Sequence, residues 1–353
     1  MFRDEAVRRR RWLSDQRFLD LVGATSLIPG PNSTEMAIHL GLERAGWRGL
    51  ITAGVLFILP AFLLVSGLAW VYVEFGDAPA LRWVLYGIKP VVIAIVANAI
   101  VGLGQTALRK LWTLLLAASV LVLYFVGLNE LLLLAAGGIA GLLWSARKSR
   151  TLPGTSVTAL LPIASVPAVL TAATGVGMGH LFLVFLKIGA VLYGSGYVLI
   201  AFIQGDFVDR LGWLTQQQVL DAVAIGQLTP GPVFTTASFI GYLLGGWFGA
   251  ILATIAIFLP SFAFVAVLNP LVTRVRADRR SRSFLDGVNA TAVALMLGIG
   301  SILGRAAIVD VPTFTLAAVA LILIVRYRIQ PTWIIIAGGG LGVLSQLAVG
   351  WWT

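Results

Sequence analysis

The sequence contains no cysteine and only two histidines, His39 and His180. Disulfides, thiol catalysis and thiolate metal sites are therefore excluded, and a multi-histidine metal centre has too few ligands. Charge is scarce too. Only 11% of the 353 residues are charged, against about a quarter in ordinary soluble domains. The opening MFRDEAVRRRRWL has no apolar core and does not read as a secretory signal. No HExxH motif and no paired-aspartate set is present, so an intramembrane enzyme has no catalytic group to stand on, and no cofactor is expected.

What is present is apolar. Hydrophobic residues make up 59% of the chain, and mean hydropathy is +0.95. Apolar runs of about 20 residues, enough to span a bilayer, recur from residue 49 to the end. The chain reads as an all-α polytopic membrane protein. Its net charge of +10 is then a topology signal rather than a nucleic-acid footprint.

The sequence repeats itself. Pro29-Gly30-Pro31 recurs as Pro230-Gly231-Pro232, and at the same offset Trp12, Leu13 and Asp20 match Trp213, Leu214 and Asp221. One position is then lost. Gly46-Trp47, Gly49, Leu59-Pro60 and Phe62 match Gly246-Trp247, Gly249, Leu259-Pro260 and Phe262, and Arg82 and Gly87 match Arg282 and Gly287. Two homologous halves follow, 1–150 and 180–353, with a Pro/Gly/Ala/Thr-rich connector over 151–179. Such internal repeats are typical of secondary transporters.

Charge orients the halves. Lys and Arg accumulate on the cytoplasmic side. Residues 1–17 are rich in arginine, whereas their counterpart 205–218 carries Arg210 with Asp206 and Asp209. Loop 74–82 holds Glu74, Asp77 and Arg82, but its counterpart 270–283 holds Arg274, Arg276, Arg279, Arg280 and Arg282. Arg147, Lys148 and Arg150 are answered by the uncharged GWWT at the C-terminus. The pattern is reversed between halves, which predicts an inverted repeat. It places the N-terminus in the cytoplasm and the C-terminus in the periplasm.

Parity adds a second element. Residues 1–17 and the loop with Arg44 and Arg48 are both basic, so the segment between them crosses an even number of times. It is too short for two full helices. Two half-helices of about 12 residues, each about 18 Å long, fit a re-entrant hairpin broken at Pro-Gly-Pro, and 219–246 repeats it from the other side. Proline removes a donor and clashes with the preceding turn, and glycine allows the torsions between. Full crossings are predicted over 49–73, 83–107, 111–127, 131–146, 180–203, 247–268, 284–304, 312–325 and 332–349.

Non-helical backbone at membrane depth is tolerated where it is buried in protein or lines a cavity. A helix begins after each tip. Helix N-termini offer free N–H groups and partial positive charge, so two facing one cavity form an anion site. The substrate-binding set is Pro29, Gly30, Pro31, Asn32, Ser33 and Thr34, with Pro230, Gly231, Pro232, Thr235 and Thr236. Glu35 and His39 share a helix face and suit proton or charge coupling, as do the intramembrane Lys89 and Lys187. Blander readings stand beside these: Pro-Gly-Pro as a kink in a packed helix, and the two lysines as side chains snorkelling to the interface.

The segment FLDLVGATSLIPGPNSTEMAIHLGLERAGWRGLITAGVLFILPAF resembles the hallmark segment of the chromate ion transporter family. FLKIGAVLYGSGYVLIAFI and GQLTPGPVFTTASFIGYLLGGWFGAILATIAIFLPSF resemble its second-half equivalents. The resemblance spans nearly the whole chain and is to the long, two-repeat type. It implies a bacterial inner-membrane carrier, with chromate efflux as the best-known activity and sulfate as the chemically similar anion. Motif positions that carry over are Pro29, Gly30, Pro31, Asn32, Glu35, His39, Pro230, Gly231 and Pro232. The family's first half usually opens with a helix bearing a Gly-Gly-Pro-like motif. Its equivalent in the second half is 180–203, with Gly194-Ser195-Gly196, so a further apolar segment is expected upstream of Met1. An anion channel or another small-anion permease is the alternative on the same architecture. Oligomeric state is left open by the sequence.

Overall fold

The computed structural model describes residues 2–25, 28–76, 78–148, 177–193, 196–229, 231–268 and 279–350. Most of the 151–179 connector, Pro230, Asp77, Gly194, Ser195 and the arginines at 274 and 276 lie outside them. The described residues are helical, with no strand. The elements are α1 (Asp15–Thr25), α2 (Asn32–Phe75), α3 (Pro79–Ala107), α4 (Leu111–Phe125), α5 (Glu130–Lys148), α6 (Met178–Val191), α7 (Leu199–Ile203), α8 (Gln216–Leu228), α9 (Thr236–Leu268), α10 (Arg279–Ala307), α11 (Val311–Tyr327) and α12 (Pro331–Gly350).

Five helical stretches are long and apolar enough to cross a membrane: Asn32–Phe75, Pro79–Ala107, Glu130–Arg147, Val233–Val267 and Ser281–Ala307. Shorter apolar helices fill the remaining predicted spans. Large apolar side chains point outward, among them Leu111, Val126 and Val311, each more than 70% exposed. In water such a surface would be an interaction or aggregation site. Here it is the face a lipid bilayer covers, and the chain is a multi-pass membrane protein.

One predicted helix is corrected. The span expected over 180–203 is interrupted. α6 ends at Val191, Leu192 is extended (φ −76°, ψ 102°), and the next described helical residue is Gly196.

α2 and α9 each fold back on themselves without a loop. Ala45-Gly46 adopts φ/ψ of −144°/25° and 56°/−143°, and Gly245-Gly246 adopts −156°/23° and 59°/−150°. The second residue of each pair lies at a positive φ that side chains with a Cβ rarely adopt. Glycine does further work on either side of the fold. A Cβ on Gly41 would strike the Gly49 carbonyl, and one on Gly241 the Gly249 carbonyl, so these backbones touch. α1 (11 residues) and α8 (13 residues) form the other short legs, packed on α2 and α9 respectively.

Around these, α9 packs on α2 and α6, α10 on α3, α4 and α5, and α3 on α11 and α12. Phe185, Phe202, Phe207, Phe234, Phe239 and Phe258 are fully buried where α6, α7, α8 and α9 meet. This core holds the broken segments in place.

Candidate functional site

Three breaks in helical backbone converge. The first is the tip at Pro29-Gly30-Pro31. Pro31 caps α2 in an extended conformation (φ −81°, ψ 110°). Its carbonyl accepts from the Thr34 and Glu35 N–H groups at 2.9 and 3.1 Å. Gly30 sits at φ +140°, and its N–H donates to the Leu192 carbonyl at 2.8 Å. Leu192 belongs to the second break, between α6 and α7. The third is the tip before α9. Pro232 is again extended (φ −68°, ψ 136°), and its carbonyl accepts from the Thr235 N–H at 2.9 Å. A 3₁₀ turn over Val233–Thr235 then leads into α9. Gly196, at the restart after the second break, lies against Val233. The interruption after α6 is therefore seated against both tips.

Each tip also packs on the other half. A Cβ on Gly30 would collide with the Ser261 hydroxyl and the Glu35 carboxyl, and one on Gly231 with the Ala61 methyl. Ser261 and Ala61 each follow the interior proline of their helix, Pro260 or Pro60. Only Gly30 needs glycine for its torsion. Gly231 needs it for space.

The sequence-predicted residues separate by environment. Thr34, Glu35 and His39 are fully buried, and so are Thr235 and Thr236, whereas Asn32 and Ser33 are exposed. The Thr235 hydroxyl donates to the Pro232 carbonyl at 2.9 Å, so it is engaged in capping the turn. The Thr236 hydroxyl faces Gly226 of α8. Neither Glu35 oxygen has a hydrogen-bond partner among the described residues. Pro230 lies outside them.

Lys89 and Lys187 do not snorkel. Lys89 Nζ lies 2.8 Å from Asp221 Oδ1, with the side chains 12% and 4% exposed. The Tyr72 hydroxyl donates to the other Asp221 oxygen at 3.0 Å. Lys187 Nζ lies 2.6 Å from Asp206, which also pairs with Arg210 at 2.9 Å. Lys89 comes from the first half and Asp221 from the second, about 10 Å along α8 from its tip end. The sequence reading missed Asp206, Asp221, Tyr72 and Ser261 as parts of these clusters. A signal existed for the aspartates, because an intramembrane lysine calls for a carboxylate partner. Among the described residues, no group of three or more His, Asp or Glu could hold a metal ion.

The family model for chromate transporters matches residues 1–142 and 179–343. The chain belongs to the chromate transporter family. A chromate transport protein of Cupriavidus metallidurans is 32% identical over 97% of this chain and 86% of its own length. One from Pseudomonas aeruginosa is 35% identical over 84% of this chain and 73% of its own. An uncharacterized transporter of Methanocaldococcus jannaschii is 23% identical over 84% of this chain. No solved structure matches significantly.

Proposed function

We propose that the chain is a carrier, not an enzyme, that moves a tetrahedral oxyanion across the bacterial inner membrane, with chromate efflux as its main activity and sulfate as a related substrate. The observation that carries this is the meeting of two helix N-termini, after Pro31 and Pro232, at the break between α6 and α7. Free N–H groups and aligned peptide dipoles favour an anion there, and broken helices at depth are how secondary carriers build such sites. The family relatives named for chromate transport agree with this reading.

An inverted repeat with two re-entrant hairpins is part of the same proposal. The matched torsions at Gly46 and Gly246 support it. So does reciprocal packing: α3 with α11 and α12 mirrors α10 with α4 and α5. The N-terminus then lies in the cytoplasm and the C-terminus in the periplasm. Within the site, the segments from Gly30 to Thr34 and from Gly231 to Thr236 surround the anion, with the Asn32 and Ser33 N–H groups offered to it because the Gly30 and Thr34 N–H groups are taken by carbonyls, and Glu35 and His39 lie deeper along α2.

Membrane potential favours the outward direction. Expelling a dianion from a negative interior gains about 2.3 kcal/mol per charge per 100 mV, so about 4.6 kcal/mol in all. The test is uptake of chromate, sulfate and molybdate into everted membrane vesicles, where cellular efflux becomes uptake. Chromate accumulation above that of vesicles lacking the protein is expected, with acceleration by anion preloaded inside. Absence of flux for all three anions defeats the proposal. Flux without counter-transport acceleration marks a channel.

A further inference from the structure

Glu35 is an unusual neighbour for an anion site. Its side chain is fully buried, and neither oxygen has a hydrogen-bond partner among the described residues. It stands in the first turn of α2, whose cap is the Pro31 carbonyl that accepts its own N–H. The carboxyl is directed back at the tip, because a Cβ on Gly30 would meet its Oε1 atom, and the Ser261 hydroxyl as well.

No cation is seated on it among the described residues. From its own helix, His39 lies one turn on, and Glu43 is paired with Arg17 of α1. Asp20 of α1 accepts from Gln16. α9 contributes Ser261 and carries no charged side chain at all. The α6 break contributes Tyr193, whose phenol lies within electrostatic reach of Glu35. A carboxylate here would be an unpaired buried charge, which proteins avoid by neutralising the group. An ionised Glu35 would also repel an incoming oxyanion at close range in a low dielectric. Protonated, the same group carries one O–H donor and adds to the N–H groups of the tip.

We propose that Glu35 is a proton-binding site loaded together with the oxyanion, so that the carrier moves proton and anion in the same direction. This rests on the oxyanion reading above. Linkage makes the effect reciprocal: the anion raises the proton affinity of Glu35 by the same factor by which the proton tightens anion binding. Each transported dianion then carries one net negative charge instead of two.

The experiment uses the full-length purified protein in detergent, with sulfate and chromate as probes, both dianions from neutral to alkaline pH. Dissociation constants are measured across that range, and proton uptake on anion addition is followed in weakly buffered solution. The expected result is weakening of wild-type binding by about tenfold per pH unit on the alkaline side, with close to one proton taken up per anion there. Glu35→Gln, a neutral stand-in for the protonated acid, should bind with a flat pH profile and no proton uptake. Glu43→Gln, at a carboxylate paired with Arg17 outside the site, should keep the wild-type slope. Proton release or no proton exchange in the wild type overturns the inference without reference to any variant. An unchanged slope in Glu35→Gln overturns it as well. Failure of both anions to bind at any pH overturns the oxyanion reading instead.

Discussion

Replacing Lys89 with methionine measures what the buried ion pair between the halves contributes. At an effective dielectric of about 20, unit charges 2.8 Å apart attract by about 6 kcal/mol. Much of that attraction offsets the desolvation of two ions that are 12% and 4% exposed. Methionine keeps most of the stem, so packing changes little. The cost is then that of Asp221 left without its cation, still accepting from the Tyr72 hydroxyl, and about 3–5 kcal/mol is expected. Asp221→Leu should cost a similar amount by stranding the ammonium. The double variant K89M/D221L removes both charges, and an apolar pair of similar volume is often as stable as the ion pair. It should recover most of the loss, with an interaction energy of about 3 kcal/mol. The assay is unfolding of the purified protein in mixed micelles, followed by the fluorescence of its 11 tryptophans. Additive single losses would refute the coupling. A loss under about 1 kcal/mol in K89M would show that the ammonium is solvated, as a snorkelling lysine is.

Gly30→Ala and Gly231→Ala should both slow anion transport, but only the second should be rescued from the opposite half. Ala61→Gly opens the space that Gly231→Ala needs, whereas Ser261→Gly leaves Gly30→Ala at a φ of +140°. Flux measurements on the two double variants decide this. Asp310 caps α11, accepting from the Thr313 N–H at 2.9 Å and the Tyr86 hydroxyl at 2.7 Å. Those bonds hold its carboxyl below the usual range, the Thr313 backbone bond most of all. A lowered folded-state pKa gives stability that is present above the unfolded value and lost as pH falls through the folded one. Asp310→Asn should therefore flatten the acid limb of the stability profile, and an unchanged limb would assign it to other carboxylates. Cysteines introduced at Asp77 and Arg279, in a chain with none of its own, should label from opposite membrane faces. Labelling from one face refutes the inverted repeat.

Much of the backbone was legible because its signals are local. Apolar run length sets the helices, and Pro-Gly-Pro sets where two of them stop. Gly46 and Gly246 match at one repeat position, and the fold of each long helix lies there. These are chain-neighbour effects: a missing N–H, a missing Cβ, a span of about 20 apolar residues.

The partnerships were not legible, because each joins residues far apart in sequence. Lys89 and Asp221 are both plain in the sequence, yet nothing local says that they meet, nor that Tyr72 completes the pair. The break after α6 was read as continuous helix, since LYGSGYV forbids no helix as firmly as proline does. It is fixed from outside, by Gly30 donating to the Leu192 carbonyl and by Val233 against Gly196. The sequence alone determined that the chain crosses a membrane repeatedly, and its recurring Pro-Gly-Pro marked two breaks. Tertiary packing alone decided that the tips share a third break, that both lysines are paired with aspartates, and that Glu35 is buried beside Gly30 and Ser261. Those outcomes depend on contacts between the halves, and side-chain burial is a property of the assembled core.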